Sequence, residues 1–537
     1  MDSNAYRKPD CILKRFPADY ETVSADKTNP AIQLYGRRFY KDQTPVEYLA
    51  EFLLVFASPK QSDGAGTHGF KLLAEPGNPP RYWPENRVAL KLFAFFPNSR
   101  LETRHPAHQK AYLEALEAVQ SRVKGNAKDQ EETVRLLQSL FAGFVGVAKN
   151  RTWVTHTFLP VSTSLLAKEV SWQHPKALQN REVVDWESST DYFDENTRNF
   201  LGRGGELLFL QLANLFAEPD DPELAVMHGL EIYRHIGGNQ ISELADGLER
   251  QLRQMLEEAV APLTGLAQFI ECNLTNYRLD SQRPDPGSSL GWVPVVSRNE
   301  ALLFAWEMDN ICAANLTGLE RLDLLRTLCS MQVLRSLCFQ ARRVDESETD
   351  TSGFIGNYAW IVADADAPLG SPIRLMAQNS FNRIDDMLYR AMRSPSLYND
   401  GIPLKKGDIE NGDDNCFRHF RKLSKELGLV IPLNGRGQRF VLTPELLRFL
   451  VAALVPPGKR VRLTEFYQRA FAHYGLALGG QALATALDWN GSEVGAKSYA
   501  VAASTAWIEE ALQQGGFLVE LSDAVSIVKN PAGRNKD

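Results

Sequence analysis

Between Glu206 and Arg343 the sequence has the apolar spacing of α-helices almost throughout, and this stretch constrains the fold most. Apolar residues recur at three- and four-residue intervals, which indicates amphipathic helices that bury one face. The predicted helices span 206–217, 222–236, 240–260, 299–313 and 318–343. The loop RLDSQRPDPGSSLG at 278–291 interrupts them, since its proline and glycine residues favour irregular backbone. A chain with such a middle section builds much of its core from packed helices.

The N-terminal part mixes strand and helix patterns. Thr44-Pro45-Val46-Glu47 has the form of a capping box with proline at the first helical position, which predicts a helix over 46–56. The apolar run 88–96 and the β-branched and aromatic run 153–159 predict strands. The expected fold class is mixed α/β and mostly α, with an N-terminal α/β domain, a helical middle domain and a C-terminal winged-helix-like region.

The length of the chain requires several domains. At 537 residues it is too long for one hydrophobic core. The acidic, small-residue stretch 341–353 lacks periodicity and indicates that a linker begins there. The predicted domains are 1–175 (α/β), 176–345 (mainly helical), 346–370 (linker region), 371–457 (basic, winged-helix-like) and 458–537 (winged-helix-like).

The C-terminal third shows one pattern twice. A predicted helix over 414–427 is followed by two apolar runs within 429–443, which are joined by Asn-Gly-Arg-Gly. A predicted helix over 503–514 is likewise followed by a hairpin pattern over 517–528. With further helices ahead of the second hairpin, the order is helix, helix, helix, hairpin. This is the order of a winged helix.

The segment from Arg418 to Arg469 is strongly basic. It contains eleven bases and three acids, a net charge of +8, whereas the rest of the chain carries −15. A local excess of this kind is typical of a polyanion site. Four of the bases fall at i, i+3, i+4 and i+7, on one helix face, and one arginine lies between glycines at the hairpin tip. The candidate DNA-binding residues are Arg418, Arg421, Lys422, Lys425, Arg436 and Arg439.

Three interpretations of this basic face stay open. The helix and hairpin would fit duplex DNA, with the helix in the major groove and the bases on phosphates. Winged helices also dock proteins, and a basic helix face can simply be solvated. Contact with nucleic acid is the favoured interpretation. The second hairpin unit has acids on its helix and hairpin, which favours packing or docking.

The GRGGE turn at 202–206 is a second candidate site. Glycines ahead of a helix N-terminus expose backbone N–H groups, and the helix dipole favours an anion there. The possible anion-binding residues are Gly202, Arg203, Gly204 and Gly205. The simpler interpretation is a glycine turn that starts a helix.

An enzyme is the alternative function. Glu206 and the acids at 185–195 could hold Mg²⁺ in a metal-dependent nuclease or another enzyme. However, the sequence has no P-loop and no Glu-x-Lys triplet of the common nuclease motif. The favoured interpretation therefore has no catalytic residue, no cofactor and no metal.

Cysteine spacing and hydropathy indicate the compartment. The six cysteines lie far apart with no Cys-x-x-Cys pair, which favours a reducing cytoplasm. Apolar runs such as 449–455 fall far short of the roughly 20 residues that span a bilayer. We expect a cytoplasmic protein with no membrane partner.

Two C-terminal segments resemble known proteins. RKLSKELGLVIPLNGRGQRFVL and TAWIEEALQQGGFLVELSDAVSIVKNP are similar to the tails of accessory components of prokaryotic multi-gene anti-phage defence systems, methylation-associated or phosphorothioation-linked. The resemblance implies a bacterial protein that acts with a methyltransferase, nuclease or ATPase of the same system. It assigns no catalytic residue.

Overall fold

A computed structural model gives the fold of most of the chain. It describes residues 14–17, 29–37, 43–61, 69–72, 80–83, most of 113–142, 171–172, 193–194, 204–221, single positions within 224–230, 231–237, 241–258, 287–345, 354–397, 405–491, 505–520 and 526–533. The strands predicted at 88–96 and 153–159 lie outside these residues.

The described part is mostly helical. Its α-helices are α1 (Pro30–Tyr35), α2 (Pro45–Ala57), α3 (Ala127–Ala142), α4 (Gly204–Ala217), α5 (Ile241–Glu258), α6 (Arg298–Cys312), α7 (Gly318–Val344), α8 (Pro372–Ala391), α9 (Lys406–Asn415), α10 (Phe417–Glu426), α11 (Pro444–Leu454), α12 (Leu463–Tyr474), α13 (Gly480–Trp489) and α14 (Ala506–Gln514). Short 3-10 helices occur at Glu231–Ile236, Val295–Ser297 and Pro395–Leu397.

The strands are short. They are β1 (Arg15–Phe16), β2 (Arg81–Tyr82), β3 (Ser171–Trp172), β4 (Phe193–Asp194), β5 (Ser288–Ser289), β6 (Val293–Pro294), β7 (Trp360–Ile361), β8 (Val430–Ile431), β9 (Arg439–Phe440), β10 (Arg460–Arg462), β11 (Leu476–Ala477), β12 (Leu518–Glu520) and β13 (Ser526–Lys529). Antiparallel pairs are β1–β6, β2–β5, β3–β4 and β8–β9; β7 pairs with β11 in parallel; β10, β13 and β12 form a three-stranded antiparallel sheet in that order. The predicted mixed, mostly helical class is confirmed.

Two predicted helices differ in detail. Over 222–236 the structure has a 3-10 helix at Glu231–Ile236, which ends at Gly237 with φ +70°. Over 414–427 the helix is broken between α9 and α10, because Cys416 has φ −107° and ψ −99°, outside the helical region. The remaining described helices between 204 and 344 match their predicted ranges within about two residues.

The chain forms two compact units, each assembled from separate segments. The first comprises Met1–Lys41, Leu210–Gln251 and Gly291–Asp537, and the second comprises Asp42–Phe209 and Leu252–Leu290. The sequence-based domain boundaries are continuous ranges and stay predictions. Within the described residues, no helix is both long enough and apolar enough to cross a membrane.

Helix α7 is the centre of the first unit and is buried along most of its 27 residues. It begins at a capping box in which Thr317 Oγ1 accepts from the Glu320 N–H at 3.3 Å, while the Glu320 carboxylate accepts from the Thr317 N–H at 3.2 Å. Helices α1, α6, α8, α10 and α11 pack against it. The buried face of the basic helix α10 is therefore part of the central core.

An aromatic cluster sets the position of the hairpin beside α10. The Trp360 ring on β7 stacks on Phe440 of β9 at 5.7 Å between centroids and contacts Phe420 of α10 at 6.0 Å. Phe381 of α8 meets Phe440 edge-on at 5.4 Å. Aromatic contacts of this kind stabilise packing by more than the buried surface area alone would give. They hold the hairpin against α10.

In the second unit, α2 begins where the sequence predicts. Glu47 Oε2 accepts from the Thr44 N–H at 2.7 Å, which is one half of the capping box. The apolar face of α2 carries Phe52 and Phe56, whose rings contact Phe70 at 6.4 and 5.2 Å. Phe209 of α4 stacks on Phe70 from another side, so these rings form the core between α2 and α4.

Candidate nucleic-acid interface

Helix α10 buries its apolar side and exposes its basic side. Phe420 and Leu423 are fully buried, whereas the Arg418 side chain is 56% exposed. The guanidinium groups of Arg418 and Arg421 lie 5.6 and 5.4 Å from the centroid of the Phe417 ring. The helix is therefore amphipathic in the way the sequence predicts, with its bases beside an aromatic ring at the surface.

Two bases of α10 pair with carboxylates four residues away, one on the preceding helix α9 and one on α10 itself. Arg418 Nη1 lies 2.5 Å from Asp414 Oδ1, and Lys422 Nζ lies 3.8 Å from Glu426 Oε1. Exposed ion pairs of this kind stabilise a fold by only about 0–1 kcal/mol, because water and salt screen them. These two ion pairs therefore contribute little to the stability of the fold.

Arg421 is held more firmly than its neighbours. Its Nε and Nη2 groups donate to the two carboxylate oxygens of Asp385 on α8, at 2.6 and 2.5 Å. Burial raises the pKa of Asp385, and the Arg421 guanidinium opposes that rise. This bidentate contact fixes α10 against α8. Burial, followed by the charge of Arg421, lowers the pKa of the nearby Lys425.

Arg436 lies at the exposed tip of the β8–β9 hairpin. The flanking Gly435 and Gly437 have φ values of +94° and +79°, a left-handed conformation that glycine adopts without a Cβ clash. Arg436 is exposed, and no residue in the described part of the chain forms an ion pair with it. Its guanidinium is available to an anion.

Arg439 does not belong to the predicted exposed face. It is 4% exposed, and its Nη2 donates to the carbonyl oxygen of Ala365 at 2.8 Å. Burial, followed by the charge of Arg374, lowers the pKa of this guanidinium. The side chain attaches the segment ahead of α8 to β9, where Ala363 also bridges Val441. Its role is structural because strand packing turns it inward.

The rest of the basic strip divides into paired and exposed bases. Arg469 is 8% exposed and pairs with Glu465 at 2.6 Å, and Arg448 pairs with Glu320 at 2.9 Å. The bases at the start of β10 are exposed instead. Glu465 belongs to the strip and is already included in its net charge of +8, whereas Asp414, Asp385 and Glu320 lie outside the strip and pair with three of its bases.

The glycines of the GRGGE turn serve close packing between helices. The Gly204 N–H donates to Gln43 Oε1 at 2.8 Å, so this amide already has an acceptor. A Cβ on Gly205 would lie 2.5 Å from the backbone nitrogen of Phe52 on α2, closer than any side chain permits. These contacts account for the two glycines by close packing and provide an acceptor for the Gly204 amide, and the anion site stays a prediction. Gly202 and Arg203 lie outside the described residues.

Glu206 is fully buried, whereas a catalytic carboxylate of a nuclease has to be accessible to solvent and substrate. The Tyr82 hydroxyl lies 2.8 Å from Glu206 Oε1 and 3.1 Å from Glu51 Oε1. Of the acids at 185–195 proposed to act with it, only Asp194 falls among the described residues, as part of strand β4. Among the side chains that are described, no group of three or more His, Cys, Asp or Glu is arranged to hold a metal ion.

Two segments match the sequences of known functional motifs but lie in a different structural context. Residues 287–291 read Gly-x-Ser-x-Gly, yet Ser289 lies within strand β5, paired with Arg81, and not at a strand-to-helix turn. Residues 64–69 read Gly-x-Gly-x-x-Gly, but the element before them is helix α2 and not a strand. Neither setting is that of the corresponding motif.

The structure also reveals a buried ionic cluster in the first unit. Arg335 Nη1 and Nη2 donate to the two carboxylate oxygens of Glu307 at 2.6 and 3.0 Å. His473 Nδ1 lies 2.6 Å from Glu307 Oε1, and His473 Nε2 lies 2.8 Å from His235 Nε2. Trp306 packs against both imidazole rings at 5.2 Å. The cluster thus ties α6, α7, α12 and the 3-10 helix at 231–236 together.

The charges in this cluster follow from burial. Burial would raise the pKa of Glu307, but Arg335 and His473 hold it below its usual value. Burial lowers the pKa of His473 despite the adjacent carboxylate, because Arg335 already balances that charge. Burial, then His473, lowers the pKa of His235 to about 2. One ion pair and two neutral imidazoles result, in which His473 donates to Glu307 and accepts from His235.

Sequence reasoning missed this cluster for a clear reason. Glu307 and His473 are 166 residues apart, and no local pattern connects them. The available signal was a lone charge on an otherwise apolar helix face, as at Arg335 in the run MQVLRSLCF. Charged residues are almost never fully buried unless they are paired, so that pattern predicts a partner without naming it.

No family model, no curated protein and no solved structure matches this chain.

Proposed function

We propose that this chain is a non-catalytic DNA-binding or scaffold subunit of a bacterial anti-phage defence complex, acting with other proteins of that system. It contacts duplex DNA mainly through phosphates, using α10 and the tip of the β8–β9 hairpin. The defence role follows from the resemblance of the two C-terminal segments. The non-catalytic role is supported by the lack of a P-loop and of a Glu-x-Lys triplet in the sequence.

One observation carries the DNA contact. Arg436 is exposed between two glycines in left-handed conformation, at the end of a hairpin whose base is held by buried aromatic rings. A rigid hairpin with a cationic tip suits a groove edge, where phosphates lie at the rim. Three bases of α10, Arg418, Lys422 and Lys425, add charge through contacts that phosphate can displace or share.

The order of elements supports a winged-helix-like region. Helices α8, α9 and α10 precede the β8–β9 hairpin, and helices α11 to α14 precede the β12–β13 hairpin. In the second case β13 lies between β12 and β10, so the hairpin is extended by the strand ahead of α12. This order is that of winged helices, which place a helix in the major groove and a hairpin beside it.

The test replaces four bases of the proposed interface and measures the salt dependence of DNA binding. Arg418, Lys422, Lys425 and Arg436 are changed together to Gln, and Arg421 is kept because Asp385 depends on it. Each lost phosphate contact flattens the slope of log K against log salt by about 0.9, so we expect a change of about 3 to 4. Base preference should stay unchanged, because phosphate contacts carry no sequence information.

The control removes the same charge from another exposed surface. Arg122, Lys124, Lys128 and Arg135 are exposed in the described part of the second unit, and their change to Gln should leave the slope as in the wild type. Binding is measured with a short random-sequence duplex across a salt series, after both variants are shown to be folded. Equal slopes for wild type and interface variant would assign this face to protein docking instead.

A further inference from the structure

The three-stranded sheet β10–β13–β12 has one buried and one basic face. In the antiparallel ladder Arg460 lies opposite Lys529, Val461 opposite Val528 and Arg462 opposite Ile527. Side chains alternate between the faces of a strand. Val461 and Val528 are therefore on the buried face, with 7% and 0% exposure. The three bases share the other face with Ile527 and Val519.

Two of these bases are held side by side. The Asn530 N–H donates to the Lys459 carbonyl at 3.2 Å, so the next pair along, Arg460 and Lys529, is of the non-hydrogen-bonded type. In such pairs the Cα atoms are about 4.5 Å apart and the side chains lie closest. Like charges directly opposite each other destabilise a sheet. The strand pairing thus concentrates positive charge at this point.

No described acid offsets that charge. Lys459, Arg460 and Arg462 are exposed, and neither they nor Lys529 form an ion pair with any residue that the structure describes. This differs from α10, where Asp414, Asp385 and Glu426 accompany the bases. An anionic ligand would relieve the repulsion within the sheet and would displace no protein carboxylate.

We propose that this sheet face, formed by Arg460, Arg462 and Lys529, is a second phosphate-binding surface for duplex DNA. The proposal rests on the proposed function and extends it to a surface separate from α10 and the hairpin tip. Arg460 and Arg462 lie two residues apart on one strand, about 6.6–6.8 Å, a spacing comparable to successive phosphates of one DNA strand. Phe517, whose carbonyl accepts from the Lys529 N–H at 2.7 Å, adjoins this face, and three bases without a described acidic partner favour the phosphates of DNA as the ligand.

The test compares a sheet variant with a charge-matched control. Arg460, Arg462 and Lys529 are changed together to Gln, and the control carries Arg122→Gln, Lys124→Gln and Lys128→Gln. For the sheet variant we expect the slope of log K against log salt to flatten by about 2 to 3 units, and for the control we expect no change. The readout is binding of a short random-sequence duplex across a salt series.

A single charge reversal separates binding from folding. Arg460→Glu places opposite charges across the Arg460–Lys529 pair, so we expect its melting temperature to equal or exceed that of the wild type. Its DNA affinity at low salt should fall at the same time. Weaker binding in a variant that is at least as stable cannot result from unfolding.

Each outcome decides between the two proposals. If the wild type shows no salt-dependent DNA binding, the proposed function fails and this surface fails with it. If the wild type binds and the sheet variant keeps the wild-type slope, only the sheet surface is overturned. If the sheet variant flattens the slope while the α10 and tip variant does not, DNA binding stands and its site moves to the sheet.

Discussion

Two arginine–carboxylate pairs in this chain have similar distances between their charged groups, but one pair is buried and the other is exposed to solvent. Arg335 lies 2.6 Å from Glu307 with both side chains fully buried, and Arg418 lies 2.5 Å from Asp414 with side chains 56% and 21% exposed. Water competes for the second pair and is excluded from the first. The distance between charges therefore does not reveal what a pair contributes; the surroundings do.

The difference assigns different roles to the two regions. A buried charge that loses its partner keeps its full desolvation cost, so breaking the Arg335–Glu307 pair is expected to destabilise the first unit strongly. An exposed pair is screened and contributes little. If α10 binds DNA as proposed, a phosphate would displace Asp414 or Glu426 at small cost, whereas the core cluster loses much stability when a partner is removed.

The largest expected effect comes from breaking the buried pair. Glu307→Gln leaves the Arg335 charge buried without its counterion, and we expect the free energy of unfolding to fall by about 3–5 kcal/mol. The measurement is urea denaturation followed by tryptophan fluorescence. Adding Arg335→Met to this variant should recover part of the loss, because both charges are then gone. A loss below about 1 kcal/mol would place the buried pair in the same class as the surface pairs.

A smaller loss of stability is expected when the pH is lowered. Histidine in an unfolded chain titrates near pH 6.5, whereas burial holds the pKa of His235 at about 2 and lowers that of His473. Below about pH 6.5 the unfolded state binds more protons, so stability is lost as pH falls, with a slope approaching about 1.4 kcal/mol per pH unit for each histidine.

This prediction is tested by measuring the free energy of unfolding from about pH 7 to about pH 5. The double variant His235→Gln with His473→Gln is the matched comparison. It should be less stable than the wild type at neutral pH and should lose less stability on acidification. An identical pH dependence in both proteins would mean that the two histidines are not neutral and buried in solution.

The smallest effect is expected at the surface pair. Asp414→Asn removes the partner of Arg418, and we expect the free energy of unfolding to change by less than about 1 kcal/mol. The same change removes a negative charge beside the proposed phosphate contact, so DNA affinity should rise by a few-fold at low salt. A large loss of stability, or weaker DNA binding, would contradict the contrast between the two pairs.

The sequence predicts only part of the candidate site, because the net charge of a segment does not show which of its bases are paired or buried. The amphipathic α10 and the glycine-flanked Arg436 are where the sequence predicts them, since both depend on residues a few positions apart. The pairing of Arg421 with Asp385, 36 residues away, and the burial of Arg439 against Ala365, 74 residues away, are not visible in the sequence. Net charge over a segment omits acids that folding brings alongside.

The sequence by itself determined the local elements of this protein. The helices that begin at Thr44 and Thr317 have capping boxes, and the hairpin tip has its glycines, because these features involve neighbouring residues and backbone sterics. Only the tertiary structure decided which charges are desolvated and which stay in water. It joined segments as distant as 235 and 473 in one unit, and electrostatic energies depend on that proximity and burial.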